Sequence, residues 1–380
     1  MNCSPPWLAL LLCSLCLGQD TASPQEQMKA HLDAGRYAQA IQVIQAAIAK
    51  DPNNIGWQFN LAYALTMNGQ DAEAIAAYRR VLTMNDPPKV DLAPARANLG
   101  QLLVKTGAFQ EALPLLEEMS QKRPADPKPF YLLGRAYAGL GDWAKSTPAF
   151  EKAIELDPRD TPTMLELADV YERSKQPEKA AAIYAKLPDD PAAQERRGVL
   201  LLQSGDLPGA IQSLEAARAK SPTTAVLYAL ATAYLRSKQI DKSLPLAEQI
   251  VAAEPNNFDM RMFYGRMLRD QKRYDDAVKQ FQVAVNVKKD SREAWNEFTA
   301  MLILLKKYDA ALTALEQVKA MNGETPAYYY FRATMFDAMA QHKPALENYL
   351  KFLSVSEGKF PDEEWKARQR ADALKRVVNR

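Results

Sequence analysis

Nine pairs at near-constant intervals along this chain set a compact residue twelve positions before an alanine or serine. The pairs are Ala62/Ala74, Gly100/Ala112, Gly134/Ser146, Ala168/Ala180, Gly198/Ala210, Ala231/Ser243, Gly265/Ala277, Thr299/Ala311 and Ala333/Ala345. Ala40 opens the series, with Met28 in the small slot, and from there the second members advance by 34, 38, 34, 34, 30, 33, 34, 34 and 34 residues. A fixed period of this length is the mark of a stacked-repeat architecture. Within each repeat, apolar residues recur at helical spacing, as at Phe130, Leu133, Gly134 and Tyr137. A turn follows, with glycine at Gly69, Gly107, Gly141 and Gly205. Then comes a second helix with a large residue four after the alanine or serine, such as Tyr78, Phe150, Tyr184, Phe281 or Tyr349.

Two helices of this length cannot bury their apolar stripes alone, whereas hairpins stacked on neighbours can. Gly134 and Ser146 are expected at a close approach of the two helices, with Phe150 filling the space toward the next repeat. Prolines near the second-helix ends, among them Pro52, Pro124, Pro158, Pro222 and Pro255, stop one helix. Asp126-Pro127 and Thr161-Pro162 open the next, and Ser23-Pro24-Gln25-Glu26 has the form of a capping box.

The spacing resembles the tetratricopeptide repeat (TPR) family over about nine-tenths of the chain. The resemblance implies an all-α, right-handed superhelical solenoid of about ten helix hairpins. The repeats predicted are 21–54, 55–92, 93–126, 127–160, 161–190, 191–223, 224–257, 258–291, 292–325 and 326–359. Departures from the pattern are Met28 in the small slot, four extra residues at Pro87-Pro88-Lys89-Val90, and an early stop at Leu187-Pro188. Residues 360–380, with Trp365, Ala371, Leu374 and Val378 among many charges, are expected to form a C-terminal capping helix.

All three cysteines lie in the first 16 residues, within or near the apolar run Trp7 to Leu17. That run is too short to span a bilayer and fits the core of an export signal, residues 1–18, with Gly18 and Cys16 as small residues for cleavage. The segment before it, MNCSPP, contains no Lys or Arg. Leu15 before Cys16 and Leu12 before Cys13 argue against lipoprotein anchoring. The mature chain is then expected to be periplasmic or extracellular, without cysteine and without a transmembrane segment.

Catalytic and metal-binding patterns are lacking. There are two histidines, His31 and His342, no HExxH or GxSxG, and no cysteine beyond Cys16. Gly139-Leu140-Gly141-Asp142-Trp143-Ala144-Lys145-Ser146 approaches a phosphate loop, but Ala144 replaces the second glycine and no strand precedes it. A net charge of +2 gives no footprint for nucleic acid. No cofactor is expected. Protein binding is what remains.

The TPR resemblance places a binding groove on the concave, first-helix side. The groove positions it implies are Phe59, Tyr63, Met67, Val104, Lys105, Tyr131 and Arg135 in the first half, and Tyr228, Leu235, Arg236, Met262, Arg266, Arg269 and Ile303 in the second. Aromatics beside arginine are frequent interface anchors. The function expected is a scaffold or adaptor of the cell envelope or extracellular space that binds a protein or peptide partner. The alternative is an assembly or docking factor for envelope polysaccharide export or outer-membrane machinery, docked on a membrane complex.

Overall fold

The computed structural model describes residues 22–84 and 91–378. The apolar run, its cleavage site and the Pro87–Val90 insertion lie outside these residues. Among the described residues there is no strand. Helices pair in order of sequence: α1 (Pro24–Asp33) with α2 (Tyr37–Lys50), α3 (Ile55–Met67) with α4 (Asp71–Thr83), α5 (Ala93–Lys105) with α6 (Phe109–Lys122), and α7 (Pro127–Gly139) with α8 (Trp143–Leu156). There follow α9 (Thr161–Arg173) with α10 (Pro177–Tyr184), α11 (Pro191–Ser204) with α12 (Leu207–Lys220), and α13 (Thr224–Arg236) with α14 (Ile240–Ala253). The last pairs are α15 (Phe258–Asp270) with α16 (Tyr274–Val287), α17 (Arg292–Leu304) with α18 (Tyr308–Asn322), and α19 (Pro326–Ala338) with α20 (His342–Val355), before α21 (Pro361–Val378). The chain divides into two compact units, Met1–Ile183 and Tyr184–Arg380, with the division inside α10.

Side-chain caps start most of the first helices. Ser23 and Glu26 form a full capping box on α1, and Asn54, Asp126, Asp160, Asp190, Thr223, Asn257, Ser291 and Thr325 accept from backbone N–H groups one turn in.

The twelve-residue pairs sit where the two helices of a hairpin touch. A Cβ added to Gly134 would lie 2.6 Å from the Phe150 ring, one on Gly198 2.5 Å from Leu214, and one on Gly265 2.7 Å from Phe281. The large residue therefore covers the small one in its own hairpin, and Tyr78 also reaches the next, where its hydroxyl meets the Asn98 amide of α5. Serine at the second position has a specific partner: the Ser146 hydroxyl donates to the Gly134 carbonyl at 2.8 Å, and Ser243 to the Ala231 carbonyl at 2.6 Å. Both serines are fully buried, so these bonds remove the cost of an unmade hydrogen bond.

Each turn between paired helices places one residue in the left-handed region, seven after the small residue. It is glycine at Gly35, Gly69, Gly107, Gly141 and Gly205, but Lys175 (φ 59°), Lys238 (61°), Lys272 (59°), Lys306 (57°) and Ala340 (57°) elsewhere. A side chain with a Cβ is strained there by roughly 1–2 kcal/mol, partly offset by the greater unfolded-state freedom of glycine. Lys175→Gly, Lys238→Gly, Lys272→Gly and Lys306→Gly are each expected to stabilise by about 0.5–1 kcal/mol. Thermal unfolding of the fourfold variant checks this; an unchanged or lower midpoint would refute it.

Neighbouring hairpins are tied by a recurring polar contact. The Tyr137 hydroxyl donates to Glu117 at 2.7 Å, Tyr171 to Glu151 at 2.6 Å and Tyr234 to Glu215 at 2.7 Å. A lysine from the partner helix lies over each ring, Lys145, Lys179 and Lys242, at 5.2–5.4 Å from the centroid. The Glu117 acceptor, with burial second, raises the Tyr137 hydroxyl to about 12, and burial followed by Glu215 does the same for Tyr234.

The last helix covers α20 through Glu364, Ala367, Ala371 and Leu374, and Arg370 makes a two-pronged ion pair with Asp337 at 2.5 and 2.8 Å. Trp365 is not part of this face. It is 63% exposed, because it stands one residue off the 364/367/371/374 stripe, and Val378, at the helix end, is also exposed.

Candidate functional site

The aromatic residues predicted for the first-helix face share one mode of packing. Phe59 is half-buried with its ring 6.0 Å from Tyr78, and Tyr131 is 6.0 Å from Phe150. Tyr228 meets Phe263 of α15 edge-on at 5.1 Å and is 40% exposed. Each ring rests partly on a neighbouring aromatic, the buried Tyr78 and Phe150 and the half-buried Phe263, and presents its remaining surface outward. Met262, at the register of Phe59, Tyr131 and Tyr228, does not: it is 3% exposed and belongs to the core with Phe281. A flexible thioether sinks into a gap that a ring only half enters. Val104 is buried as well, while Leu235 and Ile303 are half-buried against the core.

The predicted cations are all engaged within the chain. Lys105 pairs with Asp71 at 2.7 Å, which lies 34 residues earlier at the start of α4. Arg135 stacks on Tyr131 and faces Glu166 at 3.6 Å. Arg236 donates to the Leu202 carbonyl at 2.6 Å. Arg266 binds Glu293 and, at 3.4 Å, Glu297, and Arg269 binds Glu297 at 2.7 Å and Asp270 at 2.9 Å. Being half-exposed, these pairs contribute little individually to stability. Each of these cations but Arg236, whose acceptor is a neutral carbonyl, has its charge matched by an acid.

One recess on this face gathers several predicted residues. It has a volume of about 320 Å³ and is bordered by Tyr63 and Met67 of α3, Tyr78 of α4, and Asn98, Gln101 and Lys105 of α5. Tyr63 is 38% and Met67 44% exposed, both large apolar surfaces. Tyr78 is fully buried, which raises its hydroxyl above the ordinary tyrosine range, and it accepts from the Asn98 amide at 3.0 Å. That contact orients Asn98 with its carbonyl oxygen left as an acceptor. Among the described residues the Gln101 side chain has no hydrogen-bond partner. The recess thus offers apolar surface beside an amide donor and acceptors, the groups that pair with an extended backbone. Gln101 was missed in the sequence because a polar residue on a helix face carries no periodic signal of its own.

The near-phosphate loop is the turn from α7 to α8, with Gly141 left-handed at φ 75° and Asp142 capping α8. His31 accepts from Arg36 at 3.1 Å, and His342 opens α20. Among the described residues no three His, Cys, Asp or Glu side chains gather as a metal site, and no helix is long and apolar enough to cross a membrane.

A family model described as tetratricopeptide repeat matches residues 26–88, 185–225 and 228–294, and a second of the same description matches 137–197, together more than half of the chain. Cellulose synthase operon protein C of Xanthomonas axonopodis pv. citri (strain 306) is 29% identical over 213 residues, 53% of this chain and 14% of its own length. TPR repeat-containing protein YpiA of Bacillus subtilis (strain 168) is 21% identical over 296 residues, 76% of this chain and 69% of its own. The chain therefore spans only a small part of the first of these relatives. Among solved structures, MamA of Desulfovibrio magneticus RS-1 aligns with a TM-score of 0.40 and 26% identity over 43% of this chain and 90% of its own. YrrB, described as a TPR protein with an unusual peptide-binding site, aligns with a TM-score of 0.42 and 21% identity over 47% of this chain and 95% of its own.

Proposed function

Because the chain belongs to the tetratricopeptide repeat family, we propose that it is a non-catalytic scaffold that binds a protein segment on its first-helix face. The observation that carries this is the Tyr63–Met67 surface beside the oriented Asn98 amide and the unpaired Gln101. Exposed apolar side chains flanked by oriented amides suit an extended segment. Its side chains lie on Tyr63 and Met67 while its backbone meets Asn98 and Gln101. The test is retention of partners from the source extract by the immobilised full chain, compared with Tyr63→Ala/Met67→Ala.

The proposal includes export, on the strength of the apolar run Trp7 to Leu17 followed by Gly18. N-terminal sequencing of protein from the source cells is then expected to begin near Gln19; intact Met1 would refute export. A second reading, docking on envelope polysaccharide machinery, draws support from the 213-residue similarity to cellulose synthase operon protein C. Co-retention of an integral membrane complex, rather than one soluble protein, favours it.

A further inference from the structure

The first compact unit holds another recess, about 600 Å³ in volume, bordered by the start of α1, by α2 with Asp51 just beyond it, and by Trp57 of α3. Its polar groups are the side chains of Gln25, Gln27, Gln42, Lys50 and Asp51 and the indole N–H of Trp57. Two of these are engaged: Gln27 donates to the Ala22 carbonyl at 2.7 Å, and Asp51 accepts from Asn54 at 3.1 Å. Among the described residues the side chains of Gln25, Gln42 and Lys50 and the Trp57 N–H have no hydrogen-bond or ion-pair partner. Gln58, Gln194 and Trp295, by contrast, each donate to a backbone carbonyl. The rest of the lining is Pro24, Val43, Ala46 and Ala47, so the half-buried Trp57 ring is the one large apolar surface in it.

The volume lies within the range of about 300–1,000 Å³ usual for small-molecule sites. One cation, Lys50, and one anion, Asp51, offset each other, so the lining suits a ligand without net charge. An amide both donates and accepts, as a hydroxyl does, and an indole N–H donates. A neutral ligand that satisfies two free amides and an N–H, and lays an apolar face on an aromatic ring, carries hydroxyls around its rim and C–H groups on its face. That is the chemistry of a sugar ring. The short side chains of Ala46 and Ala47 leave no deep apolar slot, such as a large peptide side chain would need. We propose that this recess binds a neutral saccharide. One sugar ring lies on Trp57, and the hydroxyls of that ring and the next bond to Gln25, Gln42 and the indole N–H. The site shares no residue with the Tyr63–Met67 recess and does not depend on the scaffold reading.

The probes are cellotriose, maltotriose and triacetylchitotriose, titrated into isotope-labelled full chain and followed by the Trp57 indole resonance and the amides of residues 42–51. The controls are D-glucitol, which keeps the hydroxyls but has no ring face, and N-acetyltriglycinamide, which offers peptide donors and acceptors alone. A saturable shift is expected with at least one of the trisaccharides and with neither control. Gln42→Ala, at an exposed position where the fold does not need the side chain, is expected to weaken that saccharide about threefold to tenfold, the range for a neutral hydrogen bond. Trp57→Phe, which keeps an aromatic face and loses the N–H, is expected to weaken it by a similar factor. No saturable shift with any of the three sugars, or unchanged affinity in both variants, would overturn the proposal. Equal binding of D-glucitol would remove the role of the ring face, and equal binding of the peptide would make the ligand a protein segment; either overturns it too. Tyr63→Ala/Met67→Ala is expected to leave this titration unchanged, so failure here and failure of the scaffold reading are read separately.

Discussion

Gly134→Leu is expected to lower the urea midpoint of the first unit and to accelerate amide exchange in α7 and α8. Even a Cβ at this position would stand 2.6 Å from the Phe150 ring, and Phe150 is fully buried, with Tyr131 packed against it. The buried ring can yield only by displacing its packed neighbours, so the helices are expected to part. Overpacking of this kind costs roughly 1–3 kcal/mol, and leucine falls toward the upper end because its branch follows the same vector. Separation also breaks the buried bond from Ser146 to the Gly134 carbonyl. Because stacked repeats couple to their neighbours, exchange should rise in α5 to α9 and stay unchanged in α15 and α16. Gly134→Ala is expected to show the same pattern to a smaller degree. Unaltered exchange in α7 and α8 of the leucine variant would show that the contact is not tight in solution.

Loss of the Tyr63 and Met67 side chains is expected to reduce partner affinity by at least about tenfold, while the circular dichroism spectrum stays that of the parent. Interface energy concentrates in a few large side chains shielded from water, and truncating one typically costs about 2 kcal/mol or more. Tyr63 and Met67 are 38% and 44% exposed, so little core packing is lost when they are shortened. The matched control is Lys152→Ala with Glu155→Ala on α8, an exposed pair at 3.0 Å whose removal is expected to change binding little. Glu215 is unsuited to that role, since it accepts from Tyr234 of the following hairpin. If the α8 changes abolish retention of partners and the Tyr63/Met67 changes do not, the partner lies on the second-helix side.

The pairing of helices was legible because one physical demand, a close approach twelve residues apart, recurs in every repeat. The side-chain chemistry of the faces was less so. Lys175, Lys238, Lys272 and Lys306 hold the left-handed turn position that glycine holds elsewhere, and lysine has no turn signature. Their register, seven after the small residue, would have exposed them. The cations Lys105 and Arg266 looked available because their acids lie 27 to 34 residues away, on other helices. Looking one period along the chain, as well as one helical turn, brings Lys105 and Asp71 together. Met262 could not be separated from Phe59 and Tyr131 by position, since only side-chain shape decides which of them sinks into the core.

The tyrosine–glutamate ties carry a consequence for how such a chain lengthens and shortens. Tyr137 follows Glu117 by 20 residues, and Tyr171 follows Glu151 by the same interval. Excising residues 127–160, one 34-residue period, would leave Tyr171 twenty residues after Glu117, with the bond's two ends again in register. The new junction would inherit a matched donor and acceptor without any point mutation. Gain or loss of a whole period is thus a smaller disturbance to this fold than an insertion of a few residues, and array length is free to drift in whole steps.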